Sequence, residues 1–270
     1  MNPYLTILRL NVCALSIIGL LVGAIVAGVL FHSLLPLALI ASFVITGAGN
    51  VINDYFDVKI DRINRPTRPI PSGKVSRRQA LAYYTVLSLI GLVAAAFVSV
   101  EFLAIAIFNV IVLTVYSWKL KRTALVGNVA VAYLAASNFL AAGLIIGTFG
   151  ALSVAIVLFF GISFLGTVSR EIVKDIEDTD GDRKMGAATL PIIAGEQKAR
   201  LLANAILLLT VISLALPLVV GLFSAYYLIG AVPAVVLSLY SFTRKPARAQ
   251  KLIKIAMYFV MLGFILGSVL

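Results

Sequence analysis

The chain has little charge and few of the side chains most often used for catalysis. Asp, Glu, Lys and Arg make up 12% of its 270 residues, and there is one histidine, one cysteine and one tryptophan. Soluble domains carry about 25% charged residues, so this shortage, with a mean hydropathy of +1.08, excludes an ordinary soluble fold. A single cysteine, Cys13, excludes an internal disulfide and gives no metal-binding pattern; it reads as a small buried hydrophobe in the first apolar segment. The lone His32 falls in a short loop and reads as non-catalytic. Among the charges acid is the scarcer sign: eleven Asp and Glu against 22 Lys and Arg.

What fills the chain instead is apolar. Segments long enough to span a hydrocarbon core about 30 Å thick run at 10–31, 34–56, 79–99, 102–118, 124–147, 150–170, 201–219, 222–242 and 252–270, which predicts an all-α polytopic membrane protein of nine transmembrane helices. The break at 217–224 rests on Pro217 and Gly221. The first run exceeds a signal-peptide core and lacks a small-residue cleavage site, so it reads as the first membrane helix. In this arrangement all 22 basic residues fall on one side: Arg9, seven from Lys59 to Arg78, Lys119, Lys121 and Arg122, six from Arg170 to Arg200, and five from Arg244 to Lys254. The opposite loops, near 32–33, 100, 148–150 and 220–222, carry only Glu101 and His32. Cytoplasmic loops are enriched in Lys and Arg, which places the N-terminus in the cytoplasm, the C-terminus outside and the protein in the cell membrane. The net charge of +11 then means topology and attraction to anionic headgroups rather than nucleic-acid binding, and nothing marks an obligate protein partner.

Nine of the eleven carboxylates lie in two windows, 50–61 and 171–182. On a helix, residues four apart are offset by only about 40° and about 6 Å. Asn53, Asp57 and Asp61 therefore form one ladder, flanked by Asn50 and Asp54. Asp175, Asp178 and Asp182 form a second, with Glu171 one turn earlier; Glu177 and Asp180 point away from it. Carboxylates so aligned repel unless a cation sits among them, and hard oxygen ligands suit Mg²⁺, which bridges protein carboxylates to substrate phosphates. Ionisable residues in membrane segments are costly and tend to be functional. An EF-hand is excluded, since aligning Gly181 with its invariant glycine puts Ile176 at the first ligand position and Ala187 at the twelfth. A cation pathway or proton-coupled transporter does not explain the Arg and Lys that follow each ladder, which would repel a cation but hold a diphosphate.

Two connections are long enough to fold over a site, 57–78 and 171–198, and both are cytoplasmic. Each runs from an acidic helix end through basic residues into a Pro/Gly turn, through Arg65-Pro66-Thr67-Arg68-Pro69-Ile70-Pro71-Ser72-Gly73 in one case and Arg183-Lys184-Met185-Gly186 in the other. This similarity points to two related halves of a single domain, 1–270.

The pattern Asn53-Asp54-x-x-Asp57-x-x-x-Asp61, with Asp178-x-x-x-Asp182, resembles the two aspartate-rich signatures of the UbiA superfamily of intramembrane prenyltransferases. The resemblance covers essentially the whole chain and implies a helical bundle open sideways to lipid, Mg²⁺ as cofactor and transfer of an isoprenyl group from its diphosphate. It assigns Asn53, Asp57 and Asp61 to one Mg²⁺ and Asp178 and Asp182 to another, with Asp54 and Asp175 as further ligands or support, and makes Asp57, Asp61, Asp178 and Asp182 the catalytic set. Arg62, Arg65, Arg68, Lys119, Lys121 and Arg122 are the candidates for gripping the diphosphate, with Asn50 nearby. Within the superfamily, Arg9-Leu10-x-x-Cys13, Arg68-Pro69-Ile70-Pro71-Ser72-Gly73 and Arg170-Glu171-Ile172-Val173-Lys174-Asp175 are similar to the branch that adds the second isoprenyl chain of archaeal ether lipids. That implies a lipid-phosphate acceptor, whose phosphate Arg170 or Lys174 would hold. The competing acceptors are an aromatic acid, a naphthoate, a chlorin or a haem.

Overall fold

A computed structural model describes residues 2–147 and 153–270, and these form helices and turns with an isolated parallel bridge between Thr123 and Ala188. The helices are α1 (Pro3–Leu8), α2 (Leu10–Val26), α3 (Leu35–Asn64), α4 (Arg77–Ala96), α5 (Val100–Trp118), α6 (Val126–Gly143), α7 (Val154–Lys184), α8 (Leu190–Ala194), α9 (Glu196–Ser213), α10 (Leu216–Val219), α11 (Leu228–Ser241) and α12 (Pro246–Val269). Each of the nine predicted apolar segments contains helix among the described residues. Seven helical stretches among the described residues are long and apolar enough to cross a membrane, and Leu10–Val26 and Ala225–Ser241 are shorter apolar helices. The predicted outer loop at 148–150 lies outside the described residues.

The largest departure from the sequence reading is that α3 and α7 run on through the acidic ladders. They end at Asn64 and Lys184 rather than near 56 and 170. Hydropathy falls there, but helical periodicity does not: Val51 and Val58 on α3, and Ile172, Val173 and Ile176 on α7, stay buried, and Asp54, Asp61 and Glu171 are buried with them. Pro66 stops α3, because the residue before a proline is pushed out of helical geometry, and Gly186, with φ 67°, follows the end of α7. The connections are therefore 65–76 and 185–195, shorter than the expected 57–78 and 171–198. In the other direction, α2 stops at Val26 rather than 31, with Gly28 at φ 71° just beyond.

The contacts divide the chain into two compact units. The first comprises Met1–Ala24, Val29–Lys119 and Ser137–Leu152. Its 65–76 connection is pinned by apolar packing: Ile70 and Val75 join Ile7 and Leu8 of α1, Val51 and Val58 of α3 and Ala80 of α4 in one buried cluster, with Tyr4, Tyr55 and Tyr83 packed against it. Backbone bonds from Ser72 N to Arg68 O (3.0 Å) and from Val75 N to Pro69 O (3.0 Å) close the turn. Ser76 then starts α4 with a reciprocal capping box to Gln79.

The second unit comprises Ile25–Gly28, Leu120–Ala136 and Ser153–Leu270. Behind its ladder, Val168, Ile172, Val173 and Ile176 of α7 pack on Ala199, Ala203 and Leu207 of α9, Ala249 and Ile253 of α12, and Ala132 of α6. Helices α11 and α12 cross so closely at Gly230 that a Cβ there would lie 2.2 Å from the Phe259 carbonyl oxygen, so only glycine fits. Arg200 reaches from α9 to the carbonyls of Ser241, Phe242 and Arg244 (2.6–3.2 Å), fastening α9 to the corner between α11 and α12.

Candidate active site

In the first unit the buried members of the ladder are Asp54 and Asp61, 2% and 4% exposed, while Asn53 and Asp57 are half-buried. Seven residues make about two helical turns, so Asp54 and Asp61 share a face and share a cation. Arg68 Nη1 donates to Asp61 Oδ2 at 2.6 Å and to Asp54 Oδ1 at 3.1 Å. Asp54 also accepts from Arg9 Nη2. Arg9 reaches it because its backbone is left-handed (φ 52°) at the end of α1, turning the chain between α1 and α2. A buried carboxylate without a partner costs several kcal/mol, which is why two aspartates this deep come with two guanidiniums. The spacing argument had aligned Asn53, Asp57 and Asp61; packing selects Asp54 and Asp61 as the pair that shares Arg68.

The remaining candidates of this unit divide cleanly. Asn50 Nδ2 donates to the Leu8 carbonyl at 2.7 Å, so this amide is spent on the end of α1. Arg62 and Arg65 are exposed at the end of α3, and Lys119 is exposed at the end of α5.

In the second unit the deepest acid is Glu171, 7% exposed. It accepts from Arg170, its neighbour in sequence, and lies 3.4 Å from Lys174 Nζ. Arg170 Nη2 also reaches Gln250 Oε1 of α12 at 3.4 Å, and Gln250 Nε2 donates to Glu177 Oε2 at 3.2 Å. Asp175 Oδ2 accepts from Asn128 Nδ2 of α6 at 2.8 Å. Asp178 is exposed and Asp182 partly so. Lys121 and Arg122 are brought to the second connection, where Ala188 N donates to the Arg122 carbonyl at 2.8 Å; the Arg122 side chain is exposed.

Four contributors were not singled out from sequence as site residues. Arg9 had entered as a topology marker and as part of the motif Arg9-Leu10-x-x-Cys13, with no role at the site. Asn128 carried a signal, an amide inside an apolar helix. Gln250 carried none, and Glu177, read as solvated, is exposed yet holds Gln250.

Among the described residues, no three His, Cys, Asp or Glu side chains converge into a closed metal cage. Mg²⁺ does not need one, because it keeps several waters and binds through one or two carboxylates plus phosphate oxygens. The residues present fit that mode. Both ladders offer oxygen donors, the first already attracts positive charge to Asp54 and Asp61, and beside the second the buried Oδ1 of Asn128 makes no hydrogen bond to the described residues.

Residues 16–263 match the UbiA prenyltransferase family. The chain is 40% identical over 274 aligned residues to digeranylgeranylglyceryl phosphate synthase of Pyrococcus abyssi, covering 99% of this chain and 97% of the relative. A solved structure described as giving insight into digeranylgeranylglyceryl phosphate synthase in membranes superposes with a TM-score of 0.88 at 34% identity, over 99% of this chain and 98% of that one. A UbiA homologue from Archaeoglobus fulgidus, bound to GPP and Mg²⁺, shares the fold with a TM-score of 0.68 at 20% identity, over 99% of this chain and 100% of that one. By the extent of the family match and of the identity, the chain belongs to the UbiA prenyltransferase family.

Proposed function

We propose that this protein transfers a geranylgeranyl group from geranylgeranyl diphosphate to the free hydroxyl of geranylgeranylglyceryl phosphate, with Mg²⁺ as cofactor. The observation that carries the acceptor is the 40% identity to a digeranylgeranylglyceryl phosphate synthase over 99% of the chain. Mg²⁺ is supported by the oxygen-donor ladders and by its presence with GPP in the Archaeoglobus fulgidus homologue of the same fold.

In this reading Asn53, Asp57 and Asp61 hold one Mg²⁺ and Asp178 and Asp182 another, supported by Asp54 and Asp175. The metal supplies neutralisation of the charge that develops on the departing diphosphate. Arg62, Arg65, Arg68, Lys119, Lys121 and Arg122 are the residues from which the diphosphate grip is drawn. The apolar helices exclude water that would otherwise capture the allylic cation. The acceptor hydroxyl loses its proton as the C–O bond forms. The acceptor phosphate needs cations of its own, and Glu171 keeps Arg170 and Lys174 side by side for that purpose. We read 1–270 as one prenyltransferase domain, since the family match runs through both units. We read it as crossing the cell membrane nine times, with the N-terminus cytoplasmic and the C-terminus outside. Seven long apolar helices plus two shorter ones support that count, and the one-sided basic residues support the orientation.

Purified protein incubated with geranylgeranyl diphosphate, Mg²⁺ and a panel of glyceryl ether phosphate, aromatic and naphthoate acceptors tests the proposal by product mass. Digeranylgeranylglyceryl phosphate is expected as the product. Prenylation of an aromatic acceptor alone would reject the lipid-phosphate assignment. A cysteine placed in 65–74 is expected to be labelled from the cytoplasm only and one at 221 from outside only.

A further inference from the structure

Away from the two ladders, the second unit has one strongly charged corner. No Asp or Glu follows Glu196, so 197–270 carries seven Lys and Arg and no carboxylate. Five of the seven, Arg244, Lys245, Arg248, Lys251 and Lys254, lie where α11 turns into α12 and through the N-terminal turns of α12. Among the described residues, none of the five is within ion-pair distance of a carboxylate. Glu177, which reaches this end of α12, is held by Gln250 at 3.2 Å instead.

The corner is preformed. Arg200 of α9 binds the carbonyls of Ser241, Phe242 and Arg244, which fixes the backbone from which these side chains leave. Tyr240, in the last turn of α11, lies under two guanidiniums, with Arg244 Cζ 3.9 Å and Arg248 Cζ 5.8 Å from its ring centroid. Sharing a ring brings two like charges together without offsetting their repulsion, and it leaves the guanidinium edges free to donate. Arg244 Nε is buried there and has no hydrogen-bond partner among the described residues. An unmet buried donor among clustered cations suits an anion with several acceptor oxygens.

Beyond the corner the surface is apolar. On α11, Ile229, Val232, Val236 and Tyr240 recur every three or four residues and are exposed. On α12, Ile255, Tyr258 and Leu262 continue the exposed face of Lys251 in the same way. The contact of Arg248 with Tyr240 shows that the two faces adjoin. Because α12 is long and apolar enough to cross a membrane, these faces meet hydrocarbon chains while the corner sits at headgroup level. A free anion would use the corner alone; a lipid uses the corner and the faces.

We propose that the α11–α12 corner binds the phosphate headgroup of an anionic membrane lipid, gripped by Arg244 and Arg248 over Tyr240, with the lipid chains lying along the exposed faces of α11 and α12. One-sided placement of basic residues accounts for the number of cations here, but not for two of them sharing a ring at the end of an apolar track. The site uses none of the residues assigned above to metal, diphosphate or acceptor, so it is tested apart from prenyl transfer.

Native mass spectrometry of the full-length protein in detergent, titrated with phosphatidylglycerol or with phosphatidylcholine of the same chains, counts bound lipids and subunits in one measurement. Wild type is expected to bind one phosphatidylglycerol about tenfold more tightly than phosphatidylcholine. The double variant Arg244→Gln, Arg248→Gln is expected to lose that preference, and Tyr240→Leu, which keeps every charge, to weaken it severalfold. Lys74→Gln, Arg78→Gln, the same loss of charge on an exposed stretch of the first unit, is expected to keep it. Equal affinity of wild type for the two lipids overturns the site, whether or not the variants fold. Full preference in the corner variant, with folding checked by its thermal transition, overturns it too, as does a control variant that loses the preference as completely. Displacement of bound phosphatidylglycerol by an equal concentration of inorganic phosphate would assign the corner to free anions instead, and a dimer that forms in place of lipid binding would assign the face to a second copy of this chain.

Discussion

The two acidic ladders read alike as sequence and are built differently. The first is enclosed, with Asp54 and Asp61 buried and their charge met by Arg9 and Arg68, which lie 45 and seven residues away from the acids they bind. The second is graded along α7. Its inner end is buried at Glu171 and matched by Arg170 and Lys174, its middle is held by a neutral amide from Asn128, and its outer end, Asp178 and Asp182, is open. Burial explains the difference. An enclosed carboxylate demands a full counter-charge, whereas an exposed one is already solvated and remains available to a metal at little cost. Both ladders present oxygen to a cation, and in the first that cation is already a guanidinium.

The largest expected effect does not distinguish the ladders and so tests whether both are needed. Chelation should abolish transfer, and Asp57→Ala or Asp178→Ala should each cost at least about 3 kcal/mol of transition-state stabilisation, roughly a hundredfold in kcat/KM, the scale for loss of an electrostatic catalytic group. Steady-state assays of the two variants measure this. Near-normal activity in either would remove that ladder from the chemistry.

Stability should separate them. Asp54→Ala leaves two guanidiniums without their shared carboxylate in a buried setting, and breaking such a network costs about 3–5 kcal/mol. Asp178→Ala alters an exposed position and should stay within about 0.5 kcal/mol. Thermal unfolding of both in the same nanodisc gives the comparison, and equal transition shifts would contradict the closed-versus-open description.

The helices were largely legible in the sequence because length and hydropathy decide them, and the 217–224 break held, with the chain turning at Gly221 (φ 66°). The helical ends of α3 and α7 were missed because a hydropathy criterion stops where charge begins, while the buried Val58 and Ile176 continue the helical face beneath the charges. At the candidate site the acids stood out as two dense windows, but their four-residue spacing grouped Asp61 with Asn53 and Asp57, whereas Arg68 pairs it with Asp54. Their partners were not legible: Arg9 reaches Asp54 through a left-handed residue, Asn128 meets Asp175 across 47 positions and Gln250 meets Glu177 across 73. Such pairings are set by how helices pack, which no local pattern encodes.

Two amides sharpen the comparison further. Asn128 orients Asp175 in the second unit, and Asn50 satisfies the Leu8 carbonyl in the first. Groups that orient a metal-binding carboxylate typically contribute 10- to 100-fold in affinity, so Asn128→Ala should weaken Mg²⁺ activation by about that factor. Asn50→Ala should instead cost about 1 kcal/mol of stability, the worth of one hydrogen bond, with Mg²⁺ activation unchanged. Measuring Mg²⁺ dependence and unfolding for both variants tests the assignment, and a shift in Mg²⁺ activation for Asn50→Ala would return that residue to the site.

The smallest effect is expected at Gln250, and it bears on what the inner end of the second ladder is for. Gln250 joins Arg170 to Glu177 through two weakly held contacts, 3.4 and 3.2 Å long. Its removal should cost about 0.5–1.5 kcal/mol where its hydrogen bonds matter. If Arg170 holds the acceptor phosphate, loosening it should raise the KM for geranylgeranylglyceryl phosphate severalfold in Gln250→Ala and leave the KM for geranylgeranyl diphosphate where it was. If Arg170 serves only to neutralise Glu171, donor and acceptor parameters should worsen together and Mg²⁺ activation should weaken with them. Arg170→Ala gives the same split at larger amplitude but also leaves Glu171 with Lys174 alone, which mixes recognition with charge balance. Gln250→Ala keeps every charge in place, so a change confined to the acceptor KM there would assign the inner end of the ladder to acceptor recognition, and an unchanged acceptor KM in both variants would reject that role.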